Sequence, residues 1–600
     1  MSTRFKVALA FLLTVLTVFV GRLMWLQLAQ IDTFATLSQR NYVTLERVKP
    51  LRGRILARDG TILADNRVAY DLMYWGGPVT GLTRIEALLG REIDLEAPDP
   101  SDPTESRVGS VAVWNLPDRL VPAIEERVAG QRNLYLRERI ERIYPTGLAA
   151  QTVGYTGLAN PEVHPGYQVD DMIGVSGLEA GLQDALFGEP GLERVERNHL
   201  GTIVRRETVD PATPGSDVVV TLDPRMQQAA EAALAGATRY MNAYREDEDL
   251  DPVDRVRGAL VAMDSQTGEI LAMASAPTFD PNVFTRRPSE PEAVAAVLND
   301  QDGKPLQNRV VEAYPPASTF KLVSSYTLLE EGYVTPRERF ECTSSMTYGG
   351  ITWRNWAESY RGNYDVQDAI ADSCNTYYWA AALRTPDFSS GWAPFVQALT
   401  RDARLFGYGE PVGVPLPDEK IGRVPDQAWT EAFRGTIWFP GYTLNTSIGQ
   451  GDVLATPLQT LRAESAFANR GVRVEPRLVA SLGGQATQPS SATLPGSSWD
   501  TLLGGMRKMV TDYSSSRILG PEAAYPIEVA GKTGTAQNTS GDSVDHAWFM
   551  AHTPAENPQI SVVAFLENAG SSTRTAVPVV RDFFDAAGVS SPNLTLGERP

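Results

Sequence analysis

Residues 258–277 read GALVAMDSQTGEILAMASAP. Two apolar runs flank Gln266-Thr267-Gly268, which predicts an antiparallel hairpin. Strand patterning returns near the other end of the chain, in HAWFMAHTP (546–554) and ISVVAFLEN (560–568). Helical patterns dominate between them, so the expected fold is α+β, an antiparallel sheet begun by the hairpin, closed by the last strands and covered by helices. Just upstream, LDPRMQQAAEAALAGATRYM (222–241) places Leu222, Met226, Ala229, Ala233 and Leu234 at helical spacing, the pattern of an amphipathic helix. DPATPGSD (210–217) is a proline and glycine break and sets the main domain boundary. Before that break, VKPLRGRILARDGTILAD (48–65) predicts a hairpin across Asp59-Gly60. Acidic and proline-rich stretches between about Glu86 and Asn133 read as a variable insert rather than a core, and residues 172–206 as a glycine turn, an amphipathic helix and strands.

The first residues carry a different signal. After Arg4 and Lys6 the chain runs VALAFLLTVLTVFVG (7–21), then Arg22 and LMWLQLAQI. A helix from about Lys6 to Leu28 has the length of a bilayer span. A cleaved signal peptide is the rival reading, but bulky Leu23, Met24, Trp25 and Leu26 stand where a small-residue cleavage site would be. Positive residues before the span predict a short cytoplasmic N-terminus and an exported remainder. The expected divisions are therefore 1–30, cytoplasmic tip and transmembrane anchor; 31–210, an N-terminal module carrying the hairpin and insert; 211–590, the main domain; and 591–600, a tail.

Composition excludes several function classes. In 600 residues, 54 Lys and Arg stand against 73 Asp and Glu, a net charge of −19, which argues against nucleic-acid binding. Cys342 and Cys374 are the two cysteines, and with four histidines no Cys/His cluster has metal-site spacing. The cysteines could pair once or remain free. Only seven of the basic residues are lysines, so each lysine is informative.

Of those seven, only Lys321 has a serine three positions before it, in PPASTFK (315–321). If Ser318 lies in the first turn of the following helix, the Lys321 amine shares its face and can activate the hydroxyl without a histidine. An ordinary helix start with a capping serine would look the same. Ser373-Cys374-Asn375 lies in the apolar helical segment AIADSCNTYYWAAA, where a serine can relay a proton and an asparagine can orient a carbonyl; polar helix packing or an inter-helix loop is the alternative. In VAGKTGTAQ (529–537), strand alternation puts Lys532 and Gly534 on one face. On an edge strand, Gly534 would admit a substrate backbone while Lys532 and Thr533 offered a cation and a hydroxyl.

S-x-x-K, S-x-N and K-T-G in this order are the signature of penicillin-interacting serine acyltransferases. The chain resembles class B penicillin-binding proteins, the monofunctional peptidoglycan transpeptidases, and the resemblance extends to RGRILARDGTILA (52–64), GVSGLE (174–179), GEILAMASAPTFDPN (268–282) and SIGQGDVLATPLQ (447–459). The last segment and HAWFMAHTPAENPQISVVAFLEN (546–568) look most like the elongation-specific branch. No N-terminal block of glycosyltransferase size is expected, which sets aside the bifunctional class A enzymes.

The resemblance implies a transpeptidase domain of the serine β-lactamase-like fold, raised above the membrane on a pedestal formed by residues 31–210. It implies Ser318 as nucleophile on D-Ala-D-Ala stem peptides, Lys321 as base, Ser373 as proton relay and Asn375 as holder of the donor amide. Lys532, Thr533, Gly534 and Thr535 would bind the donor, its carboxylate held by Lys532, Thr533 and Thr535, and the N–H groups of Ser318 and Thr535 would form the oxyanion hole. β-Lactams would acylate Ser318. No cofactor is implied. The metal cluster that certain relatives carry between S-x-x-K and S-x-N lacks its histidine here, so no zinc is expected. Through the transmembrane helix and pedestal, the implied partner is a SEDS-family glycosyltransferase. A septal class B protein, a β-lactam sensor, a β-lactamase and a non-catalytic activator are the competing readings.

Overall fold

The computed structural model describes residues 3–25, 43–101, 109–129, 131, 133–197, 203–513, 519, 528–538 and 544–589. The expected tail 591–600, the end of the expected anchor and His199 lie outside them. The chain divides into two compact units, one of residues 1–53 and 187–215, the other of residues 54–186 and 216–600.

In the first unit a helix spans Thr3–Met24. The side chains of Phe11, Leu13, Leu16, Val18 and Phe19 are all exposed, and at 100° per residue they point in well-separated directions. Among the described residues no helix is long and apolar enough to cross a membrane; the predicted span continued through Leu26, Gln27 and Leu28, beyond the described part. Strands Val43–Val48, Gly191–Arg197 and Ile203–Asp210 form an antiparallel sheet with Gly191–Arg197 in the centre.

The second unit is built on a five-stranded antiparallel sheet. Its strands are β1 (Gly258–Asp264), β2 (Ile270–Ala276), β3 (Ala530–Ala536), β4 (His546–Thr553) and β5 (Ile560–Leu566), in the order β2-β1-β5-β4-β3. The predicted hairpin is β1–β2, with Gly268 at φ +73° in its turn, a conformation glycine adopts at no steric cost. Period-two alternation sorts the side chains. Leu260, Ala262, Phe549, Ala551, Val562 and Ala564 face one apolar cluster, while Val261, Met263, Trp548, Met550, Val563 and Phe565 face another.

The first cluster is closed by helices α1 (Pro224–Ala235) and α7 (Ala576–Ala586). The predicted helix over 222–241 is two helices, α1 and Ala237–Asp247, separated at Gly236, where glycine's low helix propensity lets the axis break. The second face meets α5 (Pro457–Ala468), every residue of which is buried. Its N-terminus is a capping box in which Thr456 and Gln459 satisfy each other's backbone N–H groups, as a buried helix end requires. Beyond it lie α2 (Lys321–Glu330), α3 (Val366–Ala371), α4 (Asn375–Leu383) and α6 (Trp499–Asp512). This helical layer sits on the side of the sheet that carries Ala530 and Ala536 of β3.

Residues 54–186 pack into the same unit. Strand Ile55–Leu56 turns across Asp59-Gly60 into the long strand Ile62–Tyr74, as the sequence predicts, with the Thr61 N–H donating to Asp59 Oδ1 at 2.9 Å. The stretch read as a variable insert has a core of its own. Helices Leu82–Leu89 and Val121–Val128 present Ile85 and Ile124 to Leu72, Val113 and Leu134 of neighbouring strands; spacing across several short elements hides such a cluster from a local reading of charge and proline.

Strand Val218–Val220 pairs with both Ile55–Leu56 and Val479–Leu482, so sequence-distant segments share one sheet. Asn282, from the segment 268–282, donates to Tyr144 O at 3.0 Å and accepts from Tyr144 N at 2.9 Å. Next to that seam, Arg142 Nε donates to Glu179 Oε1 at 2.7 Å with both side chains fully buried. Removing one partner of such a pair strands a buried charge at a cost of about 3–5 kcal/mol. Arg142→Met is therefore expected to lower unfolding stability by about that amount, and Arg142→Met combined with Glu179→Leu to recover most of it, measured as urea unfolding midpoints of the two variants against wild type.

Candidate active site

Pro316, at φ −73° and ψ −14°, leads into a 3-10 turn over Ala317–Phe320, after which α2 begins at Lys321. The sequence predicts an ordinary helical first turn; the tighter turn has three residues per turn, which brings positions three apart toward the same face. Ala317 has φ +51°, an uncommon conformation for a residue with a side chain. It is held there from outside: its N–H donates to Gly449 O at 2.9 Å. Two residues before Gly449, Ser447 O accepts from Ser324 Oγ at 2.7 Å. Gly449 has φ +71°, and a Cβ on it would lie 2.2 Å from Ala317 O. The 447–451 segment thus clamps the serine turn by backbone contact that only glycine allows.

Lys321 is fully buried. Among the described residues its amine makes three hydrogen bonds, to Ser373 O at 2.7 Å, Ser373 Oγ at 3.2 Å and Asn375 Oδ1 at 2.5 Å, and none to Ser318. It also lies 5.5 Å from the centre of the Tyr378 ring. Burial, aided by the charge of Lys532, pushes its pKa well below that of a free lysine, against an opposing pull from Asp372. The acceptors on Ser373 and Asn375 favour the ammonium, whereas burial favours the amine. A neutral amine fits the same geometry once the Ser373 hydroxyl turns its proton toward Nζ.

Ser373 and Asn375 come from the junction of α3 and α4. Of the two readings open in the sequence, the inter-helix loop holds: Ser373 has φ +55°, and α4 begins at Asn375. Cys342 and Cys374, also left open, form a disulfide. It ties strand Phe340–Cys342 to the loop. Closing a 32-residue separation is worth roughly 3–4 kcal/mol against the unfolded chain. Asn355 completes the brace: its Oδ1 accepts from Asn375 N at 3.1 Å, and its Nδ2 donates to Thr343 O at 3.0 Å. With Asn375 Oδ1 engaged by Lys321, its Nδ2 remains as the donor.

Lys532, Thr533, Gly534 and Thr535 lie on β3, the last strand of the sheet. Lys532 and Gly534 share the face of Ala530 and Ala536, which is toward the helical layer. A Cβ on Gly534 would lie 3.1 Å from Pro316 O and from Thr319 Cγ2, so the strand and the serine turn approach to backbone distance. Lys532 is fully buried, donates to Thr533 O at 3.0 Å, and is lowered by burial to about 7. Gln450 Nε2 donates to Thr535 O at 3.2 Å. That carbonyl therefore points off the edge of β3 that pairs with no strand among the described residues, and in an extended strand the N–H of the same residue points the same way. The eight residues singled out in the sequence thus come from three segments that converge on Lys321 and the open edge of β3.

Comparison with known proteins agrees with this arrangement. The family model described as the penicillin-binding protein transpeptidase domain matches residues 258–585, and that of the penicillin-binding protein dimerisation domain matches residues 47–220. The chain belongs to the penicillin-binding transpeptidase family. It is 29% identical to peptidoglycan D,D-transpeptidase MrdA of Acinetobacter baumannii, over 95% of this chain and 86% of that one. With MrdA of Escherichia coli K12 the identity is 28%, over 99% and 95%. A solved chain from work on the structural coordination of polymerization and crosslinking by a peptidoglycan synthase complex is 41% identical with a TM-score of 0.81, covering 99% of this chain and all of that one. Pseudomonas aeruginosa PBP2 in complex with WCK 5153 is 28% identical with a TM-score of 0.66, covering 90% and 96%.

Several further residues around this site were not singled out in the sequence. Gly449 and Gln450 lie in SIGQGD, a segment noticed for its likeness to relatives; its glycines were the available signal. Ser572 Oγ bonds Thr535 Oγ1 at 2.9 Å and also bonds Gly534 O, and nothing local marks it. Among the described residues no group of three or more His, Cys, Asp or Glu is arranged to hold a metal ion. Because Gly449 fixes the serine turn, Gly449→Ala is expected to slow acylation by a fluorescent penicillin by about 100-fold, the cost of an ångström-scale misplacement. Stopped-flow acylation alongside circular dichroism checks that the fold is retained.

Proposed function

We infer that this protein is a serine-type peptidoglycan D,D-transpeptidase that cross-links stem peptides during lateral wall synthesis and is inhibited by β-lactams. The observation that carries the reading is the convergence of a serine, a buried lysine amine, the Ser373/Asn375 loop and the open edge of β3. Similarity to MrdA transpeptidases over nearly the whole chain supports the lateral rather than the septal assignment.

In the proposed mechanism the donor peptide lies antiparallel along β3 with its terminal carboxylate at Lys532, Thr533 and Thr535. Ser318 Oγ attacks the carbonyl of the penultimate D-Ala while Lys321 takes its proton. The oxyanion forms between the N–H groups of Ser318 and Thr535, each such donor being worth roughly 2.7–4 kcal/mol in related chemistry. Asn375 Nδ2 holds the donor amide. The C–N bond breaks, and Ser373 relays the proton from Lys321 to the departing D-Ala nitrogen. An acceptor amine then attacks the ester, loses its proton along the same route and frees Ser318. Supporting this division of labour are the depressed basicity of Lys321, its bonds to Ser373 and Asn375, and the outward-facing Thr535 carbonyl.

The helix Thr3–Met24 is proposed as a single-pass anchor that places the catalytic unit outside the cytoplasm. Its apolar side chains are exposed in several directions, which suits lipid better than water. The same helix and the 31–210 module are proposed to engage a SEDS-family glycosyltransferase that supplies the glycan, a reading supported by the synthase-complex chain described above.

Labelling the full-length protein with a fluorescent penicillin is expected to give a covalent adduct stable on a denaturing gel and visible by intact mass. Ser318→Ala should abolish it. A folded wild-type protein that forms no adduct would favour the non-catalytic activator, and rapid release of the adduct would favour a β-lactamase. For the anchor, wild type is expected in the membrane fraction after carbonate washing and a form lacking residues 1–30 in the soluble fraction, read by flotation with vesicles.

A further inference from the structure

The residue immediately before Ser373 is Asp372, and its side chain is nearly fully buried. Arg361 grips its carboxylate with two hydrogen bonds, Nε to Oδ2 at 2.9 Å and Nη2 to Oδ1 at 3.0 Å. Tyr364 donates its hydroxyl to Oδ2 at 2.7 Å. The main chain of the same residue is held as well, because Trp356 Nε1 donates to Asp372 O at 3.0 Å. Arg361 in turn stacks 5.3 Å from the centre of the Trp356 ring. Three side chains from the 356–364 segment thus converge on one residue whose neighbour has φ +55° and accepts two hydrogen bonds from Lys321.

We propose that Asp372 is a positioning residue for acylation, pinning the Ser373 loop against the Lys321 amine. The inference rests on the acyl-serine reading with Lys321 as base. A bidentate Arg pair with a third donor is a rigid arrangement, more than a loop between two short helices needs. The charges facing Lys321 are Lys532 from β3 and Asp372 from the end of α3, with the Tyr378 ring from α4; Ser373 and Asn375 are neutral. Of these, Asp372 alone raises the basicity of Lys321, and it does the same for Lys532. Arg361 and Tyr364 reach the lysines only through it.

Two single variants separate electrostatics from scaffolding. Asp372→Asn removes the negative charge and leaves Arg361 uncompensated, so Lys321 becomes neutral at lower pH. Arg361→Gln removes the neutralising guanidinium and leaves the carboxylate bonded to Tyr364, so Lys321 stays protonated to higher pH. The measurement is the second-order rate of acylation of the full chain by a fluorescent penicillin from about pH 5 to about pH 10. The acid limb is expected to move down by about 1 pH unit in Asp372→Asn and up in Arg361→Gln. Opposite displacements support the proposal, whatever the loss in plateau rate. Limbs that stay put, or move in the same direction in both variants, overturn it even if both variants are slow. A wild type that forms no adduct at any pH would instead overturn the acyl-serine reading itself. If Asp372→Asn fails to fold, as judged by its thermal transition, Arg361→Gln alone decides through the direction of its shift.

Discussion

A lysine amine buried to zero exposure is the constraint around which the catalytic half is arranged. An unpaired ammonium in a protein interior is prohibitively costly, so the chain must bring acceptors to Lys321 from somewhere. It brings them from the Ser373 loop, and that loop must then be fixed. The disulfide, Asn355, and the grip of Arg361, Tyr364 and Trp356 on Asp372 all serve this single placement. On the opposite side, the 447–451 segment fixes the serine turn. The sheet supplies a floor that neither can displace, because both of its faces are packed with apolar side chains.

The second constraint is proximity of backbone to backbone. Gly534 faces Pro316 and Thr319, and Gly449 faces Ala317, at distances that exclude a side chain or nearly so. These contacts set how far the nucleophile stands from the strand, and hence the width of the space a peptide must enter. Lys532, lowered to about 7 by burial, also ties the site to solution pH near neutrality. Its ability to hold a carboxylate falls as the medium becomes alkaline, while protonation removes the free amine of Lys321 as the medium becomes acidic.

Much of this was legible in the sequence for a physical reason. Near-continuous apolar runs in residues 258–277, 546–554 and 560–568 report strands buried on both faces, and the scarcity of lysine made Lys321 and Lys532 conspicuous. What was not legible depends on tertiary placement. The 3-10 turn at Ser318 is imposed by Gly449, more than 100 residues away in the chain. The state of Cys342 and Cys374 could not be settled without knowing that their strand and loop meet. Asp372 has no local signal in the sequence, since only the fold brings Arg361, Tyr364 and Trp356 to it. The apolar cluster within residues 72–134 was hidden because its members are spread over short elements, each too brief for a clear periodicity.

The open edge of β3 has a further consequence. An unpaired strand edge will template any extended chain, including a second copy of the same protein. Here Gln450 occupies the outward carbonyl at Thr535, and the serine turn crowds the strand at Gly534. The remaining ladder is short, enough for a few residues of a terminal peptide and too little for a long strand to take hold. The crowding that shapes catalysis thereby doubles as a length filter on what can pair with this edge.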